Sequence, residues 1–160
     1  MKPRIANPAL SVPGAFEALQ ALSAAAAAAA RAAGLPRATT ELVNLRASQI
    51  NGCAVCLDMH SRGAKKAGET DERLHTLAAW RDTGYFSDAE RAALALTEAA
   101  TRLADGADPV PDDVFAEAAK HYDEAALAAL VVSIAAINAW NRLNVTTGQQ
   151  AGEWTAQFAS

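Results

Sequence analysis

Apolar positions along the chain recur at helical spacing between Pro and Gly punctuation, and no window shows the period-two alternation of Val, Ile, Thr and aromatic residues that a strand requires. The pattern predicts an all-α fold, a compact helical bundle of about seven or eight helices. After a lead-in from Pro8 to Pro13, a helix is expected from Phe16 to Ala33. It carries the alanine run Ala24 to Ala30, which has maximal helix propensity but little side chain to bury, and Gly34 ends it. Pro36 suits a first helical turn, and Leu42, Leu45 and Gln49 follow at helical spacing toward a stop at Asn51-Gly52.

The next helix is expected from about Cys53 to Gly68, and Thr70 should cap another with Leu74, Leu77 and Trp80 on one side. Ser87-Asp88-Ala89-Glu90 has the form of a capping box and opens a helix through Leu94, Leu96 and Leu103. Asp105 to Pro111 reads as a loop, and helices from Asp112 to His121 and from Glu124 to about Asn144 complete the core. The apolar segment Ala125 to Ile137 is interrupted by Ser133 and falls short of the ~20 residues of a membrane helix, so it reads as a buried core helix. The tail through Trp154 and Phe158 is amphipathic enough to dock on the body or on a neighbouring copy.

Composition bounds this picture. With 160 residues, 51% of them hydrophobic and 20% charged, the chain suits one domain over residues 1–160, its core at about 10–145, and leaves apolar surface for a subunit contact. Intrinsic disorder is excluded. The net charge of -4, without any run of Lys or Arg, gives no footing for nucleic acid. No apolar stretch of signal length opens the chain, so a cytoplasmic protein with no membrane partner is expected.

The two cysteines, three positions apart, would close too small a loop to staple a fold, and in a cytoplasmic chain that spacing means redox chemistry or metal. They lie in one stretch from Glu41 to His60. The break at Asn51-Gly52 puts Cys53 at a helix N-terminus, where free N–H groups and the macrodipole favour a thiolate. Cys56 follows one turn later, near enough for a strained, reducible disulfide, and His60 stands at i+4 from it on the same face. Through unbroken helix Glu41 would lie roughly 18 Å from Cys53. If the two helices fold back antiparallel at the corner, Glu41 instead meets His60 and can orient its imidazole. Carboxylate, imidazole and thiol then form a proton relay.

The pattern of Glu41, eleven residues, Cys53-Ala54-Val55-Cys56, three residues and His60, embedded in Leu45-Arg46-Ala47-Ser48-Gln49-Ile50-Asn51-Gly52-Cys53, closely resembles the AhpD-like alkylhydroperoxidases of the carboxymuconolactone decarboxylase superfamily. The likeness continues through Ser61-Arg62-Gly63-Ala64, Gly68-Glu69-Thr70, Leu77-Ala78-Ala79-Trp80-Arg81 and Ile137-Asn138-Ala139-Trp140-Asn141-Arg142. The resemblance implies an all-helical homo-oligomer (dimer, trimer or hexamer) that reduces hydroperoxides in antioxidant defence. It implies Cys56 as the peroxidatic thiolate, Cys53 as the resolving thiol, and Glu41 and His60 as a relay acting through a bound water. No resident cofactor is implied; an external dithiol, a small thiol or a lipoyl-type protein, would re-reduce the disulfide. The best-known branch carries a histidine between the cysteines where this sequence has Val55, so the relay here is one member shorter.

Two other classes fit the same residues. In a zinc-binding or structural module, Cys53, Cys56 and His60 would need a fourth ligand from Glu41, His75, His121 or another chain; the expectation is no metal. In a non-redox, decarboxylase-like enzyme the scaffold would act without the thiols. Arg46 and Asp58 read as surface or ion-pair residues, and Ser48, Gln49 and Asn51 as backbone-bonding residues at the corner. Trp80, Trp140 and Met59 read as core or subunit contact rather than substrate wall, and His75 and His121 stay outside the site.

Overall fold

In the computed structural model residues 2–152 are described; Met1 and 153–160 lie outside them, and the docking expected of Trp154 and Phe158 falls among the latter. The described residues form eight α-helices and one 3₁₀ segment, with no strand among them. In chain order these are α1 (Pro8–Ser11), α2 (Ala15–Ala32), α3 (Arg37–Asn51), α4 (Ala54–Lys66), α5 (Asp71–Thr76), the 3₁₀ segment (Leu77–Asp82), α6 (Asp88–Thr101), α7 (Asp112–His121) and α8 (Glu124–Thr147). The all-α expectation therefore holds, and most predicted ends hold with it. Thr70 caps α5 through its side chain, and Ser87 and Glu90 make both bonds of the capping box on α6. Gly52 closes α3 at φ 69°, a left-handed conformation that favours glycine, and the chain turns there into α4.

Two expectations need correction. The helix expected to carry Leu74, Leu77 and Trp80 ends at Thr76, and a kink at Ala79 (φ -114°, ψ 32°) lies inside the 3₁₀ segment that follows. Leu74, Leu77 and Trp80 nevertheless pack into one cluster with Leu42, Leu45, Phe86 and Leu94, because the kink re-aims the chain without losing the apolar side. Helix α6 stops at Thr101, and Leu103 lies beyond it, 53% exposed in the run that leads to Pro111.

Helix α8 is the central element, packed against α2, α3, α4 and α6. By length and composition it is apolar enough to cross a membrane, but Ala126, Leu127, Ala129, Leu130, Ile134 and Ile137 are buried among the other helices while Val131 and Val132 stay exposed. The alanine run, expected to bury little, lies on the helix most extensively packed on α8. Ala26 and Ala30 are fully enclosed, and their short side chains let the helix backbones approach. The larger apolar cluster joins α2, α3, α6, α7 and α8, and a small one gathers Ala47, Cys53, Val55, Cys56 and Ile137 against Met59 and Trp140.

On the other side of α3 sits a buried ionic hub. Glu98 accepts from Arg46 Nε at 2.7 Å, Trp80 Nε1 at 2.9 Å, Arg81 at 2.6 Å and Arg102 at 3.2 Å. Burial pushes the Glu98 carboxyl up, but the bonds from Trp80, Arg81 and Arg46 outweigh it and hold the group at about 2. Arg46 is thus an ion-pair residue, and a buried one, at 8% exposure. It also donates to Gln49 at 3.0 Å, so this hub fixes α3 from the face opposite the cysteines.

Candidate active site

The corner at Gly52 brings α3 and α4 antiparallel, and the four residues singled out in sequence gather along that seam. Cys53 is the N-cap of α4, its sulfur accepting the Cys56 N–H at 3.3 Å. Glu41 Oε2 lies 2.8 Å from His60 Nδ1, the pairing expected if the two helices fold back at the corner. Arg37 Nε is a looser neighbour of the same carboxylate at 3.6 Å. The close fit of Glu41 depends on Gly63: a Cβ there would stand 2.6 Å from Glu41 Oε1, so the residue must be glycine for the carboxylate to rest against α4.

Both cysteines are buried free thiols, and their environments differ. The Cys53 thiol is lowered to about 7, first by the hydrogen bond from the Cys56 thiol and, against burial, by the Cys56 N–H and the amides of Asn144 and Asn141. The Cys56 thiol is pushed well up, by its own bond to Cys53 and by burial. The two thiols titrate as a pair, and the direction of both shifts favours charge on Cys53 over Cys56. Access runs the other way. Cys56 lines a cavity of about 350 Å³, and Cys53 is not among the lining residues.

That cavity is walled mostly by apolar side chains, including Leu10, Phe16, Val55, Met59, Ile137 and Trp140, and His60 shares it with Cys56. Phe16 and Trp140 meet edge to face at 5.9 Å between ring centroids. Met59 and Trp140, expected as core or subunit contact, are therefore cavity wall as well as packing. Val55 is buried next to Cys56 and contributes wall where the resemblance would put a histidine. Among the described residues no group of three His, Cys, Asp or Glu side chains is arranged to hold a metal ion. His75 and His121 lie away from the cavity lining, the latter 3.5 Å from Glu117.

Sequence reasoning missed a row of buried amides on α8. Asn138, Asn141 and Asn144 recur every third residue and face α3 and α4. Asn51 Nδ2 donates to Oδ1 of both Asn138 and Asn141 at 2.9 Å, and Asn141 Nδ2 donates to Ser48 Oγ at 3.1 Å. Of the three corner residues expected to bond backbone, Ser48 does so, to Asn44 O at 2.8 Å; Asn51 and Gln49 pair with side chains instead. Asn144 Nδ2 reaches Cys56 Sγ at 3.6 Å. The available signal was the spacing, three amides on one stripe of an otherwise apolar helix.

Comparison with known proteins bears on what this geometry is for. The model of the carboxymuconolactone decarboxylase family matches residues 13–99. The uncharacterized protein YdfG of Bacillus subtilis is 41% identical over 119 residues, 74% of this chain and 80% of its own. Alkyl hydroperoxide reductase AhpD of Bradyrhizobium diazoefficiens is 40% identical over 43 residues, 27% of this chain and 24% of its own. A crystal structure from Agrobacterium tumefaciens, of a protein of unknown function provisionally described as an AhpD antioxidant-defence protein, superposes with a TM-score of 0.84 at 34% identity, covering 94% of this chain and 99% of that one. A variant of the debrominase Bmp8 bound to 2,3,4-tribromopyrrole superposes with a TM-score of 0.70 at 20% identity, covering 93% of this chain and 78% of its own, a likeness of fold alone.

Proposed function

We propose, from the premise that this chain belongs to the carboxymuconolactone decarboxylase family and is AhpD-like within it, that it is a thiol-dependent peroxidase reducing organic hydroperoxides through Cys53 and Cys56. The observation that carries the reading is the position of Cys56 and His60 on one apolar cavity, with Cys53 beneath as helix cap and Glu41 behind the imidazole. A fold shared with a debrominase does not by itself select the reaction. The cysteine pair and its relay favour this one.

In the cycle, charge passes from Cys53 to Cys56 as a proton moves the other way. The Cys56 thiolate attacks the terminal oxygen of ROOH, the O–O bond breaks, and Cys56 becomes a sulfenic acid. The departing alkoxide takes a proton from His60, directly or through a water, and leaves as ROH; Glu41 stabilises the imidazolium before transfer. Cys53 sulfur then attacks Cys56 sulfur, the S–S bond forms, and hydroxide leaves with a proton as water. A dithiol donor of the lipoyl type returns two electrons and two protons. Val55, Phe16 and Trp140 favour an organic R group over hydrogen peroxide. We read the protein as cytoplasmic and homo-oligomeric in this role, with the exposed Val131, Val132 and Val145 of α8 as support for a contact between copies.

The test is steady-state consumption of cumene hydroperoxide with dihydrolipoamide as donor. The proposal expects saturable turnover that exceeds turnover of hydrogen peroxide. Consumption no faster than that by dihydrolipoamide alone would remove the peroxidase reading.

A further inference from the structure

Three hydrogen bonds in series run from the N-terminal segment to the sulfur that lines the cavity. The Ala9 N–H donates to Asn7 Oδ1 at 3.0 Å, Asn7 Nδ2 donates to Asn144 Oδ1 at 3.3 Å, and Asn144 Nδ2 donates to Cys56 Sγ at 3.6 Å. The polarity of this series is fixed at its origin. A backbone N–H can only donate, so the oxygen of Asn7 is committed to Ala9 and its amino end turns to Asn144. The oxygen of Asn144 is then engaged, and the end left for Cys56 is the amino end. A sulfur facing an N–H is favoured as thiolate; one facing an amide oxygen is favoured as thiol.

We infer that Asn144 is a further catalytic residue of the cysteine chemistry, an amide donor that stabilises negative charge on Cys56 Sγ, and that Asn7 is the positioning residue that holds this amide in its donating orientation. The N-terminal segment is thereby part of the active site. The inference rests on the reading of Cys56 as the attacking sulfur. Cys56 is the sulfur that the cavity reaches, and the amino end of Asn144 lies against it at 3.6 Å. Asn144 is buried, where an oriented dipole acts with little screening.

The surroundings hold the series in register. Arg4 N donates to Thr147 O at 2.8 Å, the Arg4 guanidinium donates to Thr146 O at 2.8 Å, and Gln149 Nε2 donates to Ile5 O at 3.1 Å. These bonds pin the segment to the end of α8 and set Asn7 over Asn144. Asn7, Asn144, Cys56 and His60 all line the same cavity. The titratable groups that face Cys56 are Cys53 and His60 on its own side and, through His60, Glu41 of α3 with Arg37 behind it. The cavity residues contributed by α1, α2 and α8 include no titratable side chain.

The experiment follows alkylation of Cys56 by iodoacetamide against pH in the full chain carrying Cys53→Ser, which leaves a single thiol to titrate. Two further substitutions are compared on that background. Asn144→Ala removes the donor. Asn7→Ser keeps a neutral side chain able to cap Ala9 but too short to reach Asn144. The expected result is alkylation about tenfold slower on the low-pH limb for Asn144→Ala and about two- to threefold slower for Asn7→Ser, with the high-pH plateau unchanged in both. Profiles that superimpose on the parent would overturn the inference, as would a loss equal at every pH, which marks altered access rather than charge stabilisation. If Asn144→Ala does not fold, the Asn7→Ser profile decides alone. No hydroperoxide enters this experiment, so it stands apart from failure of the peroxidase reading, which shows as absent turnover by the unsubstituted protein.

Discussion

Two carboxylates on crossing helices of the same bundle, Glu98 of α6 and Glu41 of α3, are given opposite surroundings. Glu98 is closed in by Arg46, Arg81, Arg102 and Trp80, lies 6% exposed, and is held ionised down to about 2. It therefore carries no proton to pass on near neutral pH. Glu41 has one short partner, His60 at 2.8 Å, one loose one, Arg37 at 3.6 Å, and a cavity that His60 shares with Cys56. The comparison teaches that the number and permanence of partners separates a carboxylate that braces helices from one that can steer a proton. Excess cations lock a charge in place, while a single imidazole leaves the carboxylate bonded to one group that can give or take a proton.

The largest effect that separates the two centres is expected from Cys56→Ser, which should lower hydroperoxide consumption by roughly a thousandfold or more while leaving the thermal midpoint near that of the parent. Cys53→Ser should instead complete one turnover and leave Cys56 as a sulfenic acid, detectable as one added oxygen in the intact mass. Next comes the hub. Glu98→Gln should cost about 3 kcal/mol of unfolding free energy, the linkage value of moving the carboxyl from 4.5 to about 2. Because the folded-state value is depressed, this stabilisation is complete above about 4.5 and is lost as pH falls toward 2. Denaturant melts of the parent should weaken across that window, and those of Glu98→Gln should weaken less; equal slopes would break the contrast.

A smaller change sharpens the comparison from the other side. Gly63→Ala sets a Cβ 2.6 Å from Glu41 Oε1, so the carboxylate must shift from its place against α4, which disturbs its bond to His60. The account expects turnover to fall about tenfold with little change in the acid-unfolding window, since the hub is untouched. The smallest expected effect is spectroscopic. Reduced parent protein should gain the thiolate absorbance of one sulfur with a midpoint at about 7, and Cys53→Ser should move that midpoint upward. An unchanged midpoint in the variant would place the resting charge elsewhere.

Much of this was legible in the sequence, for reasons that are local. The capping box at Ser87, the cap at Thr70 and the Gly52 corner follow from short-range backbone chemistry, and the Glu41 to His60 pairing follows once the corner is known. What escaped depends on partners far away along the chain. Arg46 as a surface or paired residue could not be resolved without Glu98, 52 positions on. Asn51 bonds Asn138 and Asn141, 87 and 90 positions on, and an asparagine in a helix announces only that it needs a partner. Met59 and Trp140 have the same apolar signature whether they fill a core or wall a cavity, because both bury them. The kink at Ala79 and the early stop of α6 at Thr101 likewise reflect packing that intrinsic propensity does not contain.

The central claim is that Cys56 attacks a hydroperoxide and Cys53 closes the disulfide. Fully reduced, metal-free protein mixed with one equivalent of cumene hydroperoxide tests it most directly, with free thiols counted and the intact chain weighed over time. The account predicts loss of both thiols, loss of two hydrogens from the mass and one equivalent of alcohol, all faster than with a free thiol. Thiols that remain at full count while the hydroperoxide persists would contradict it.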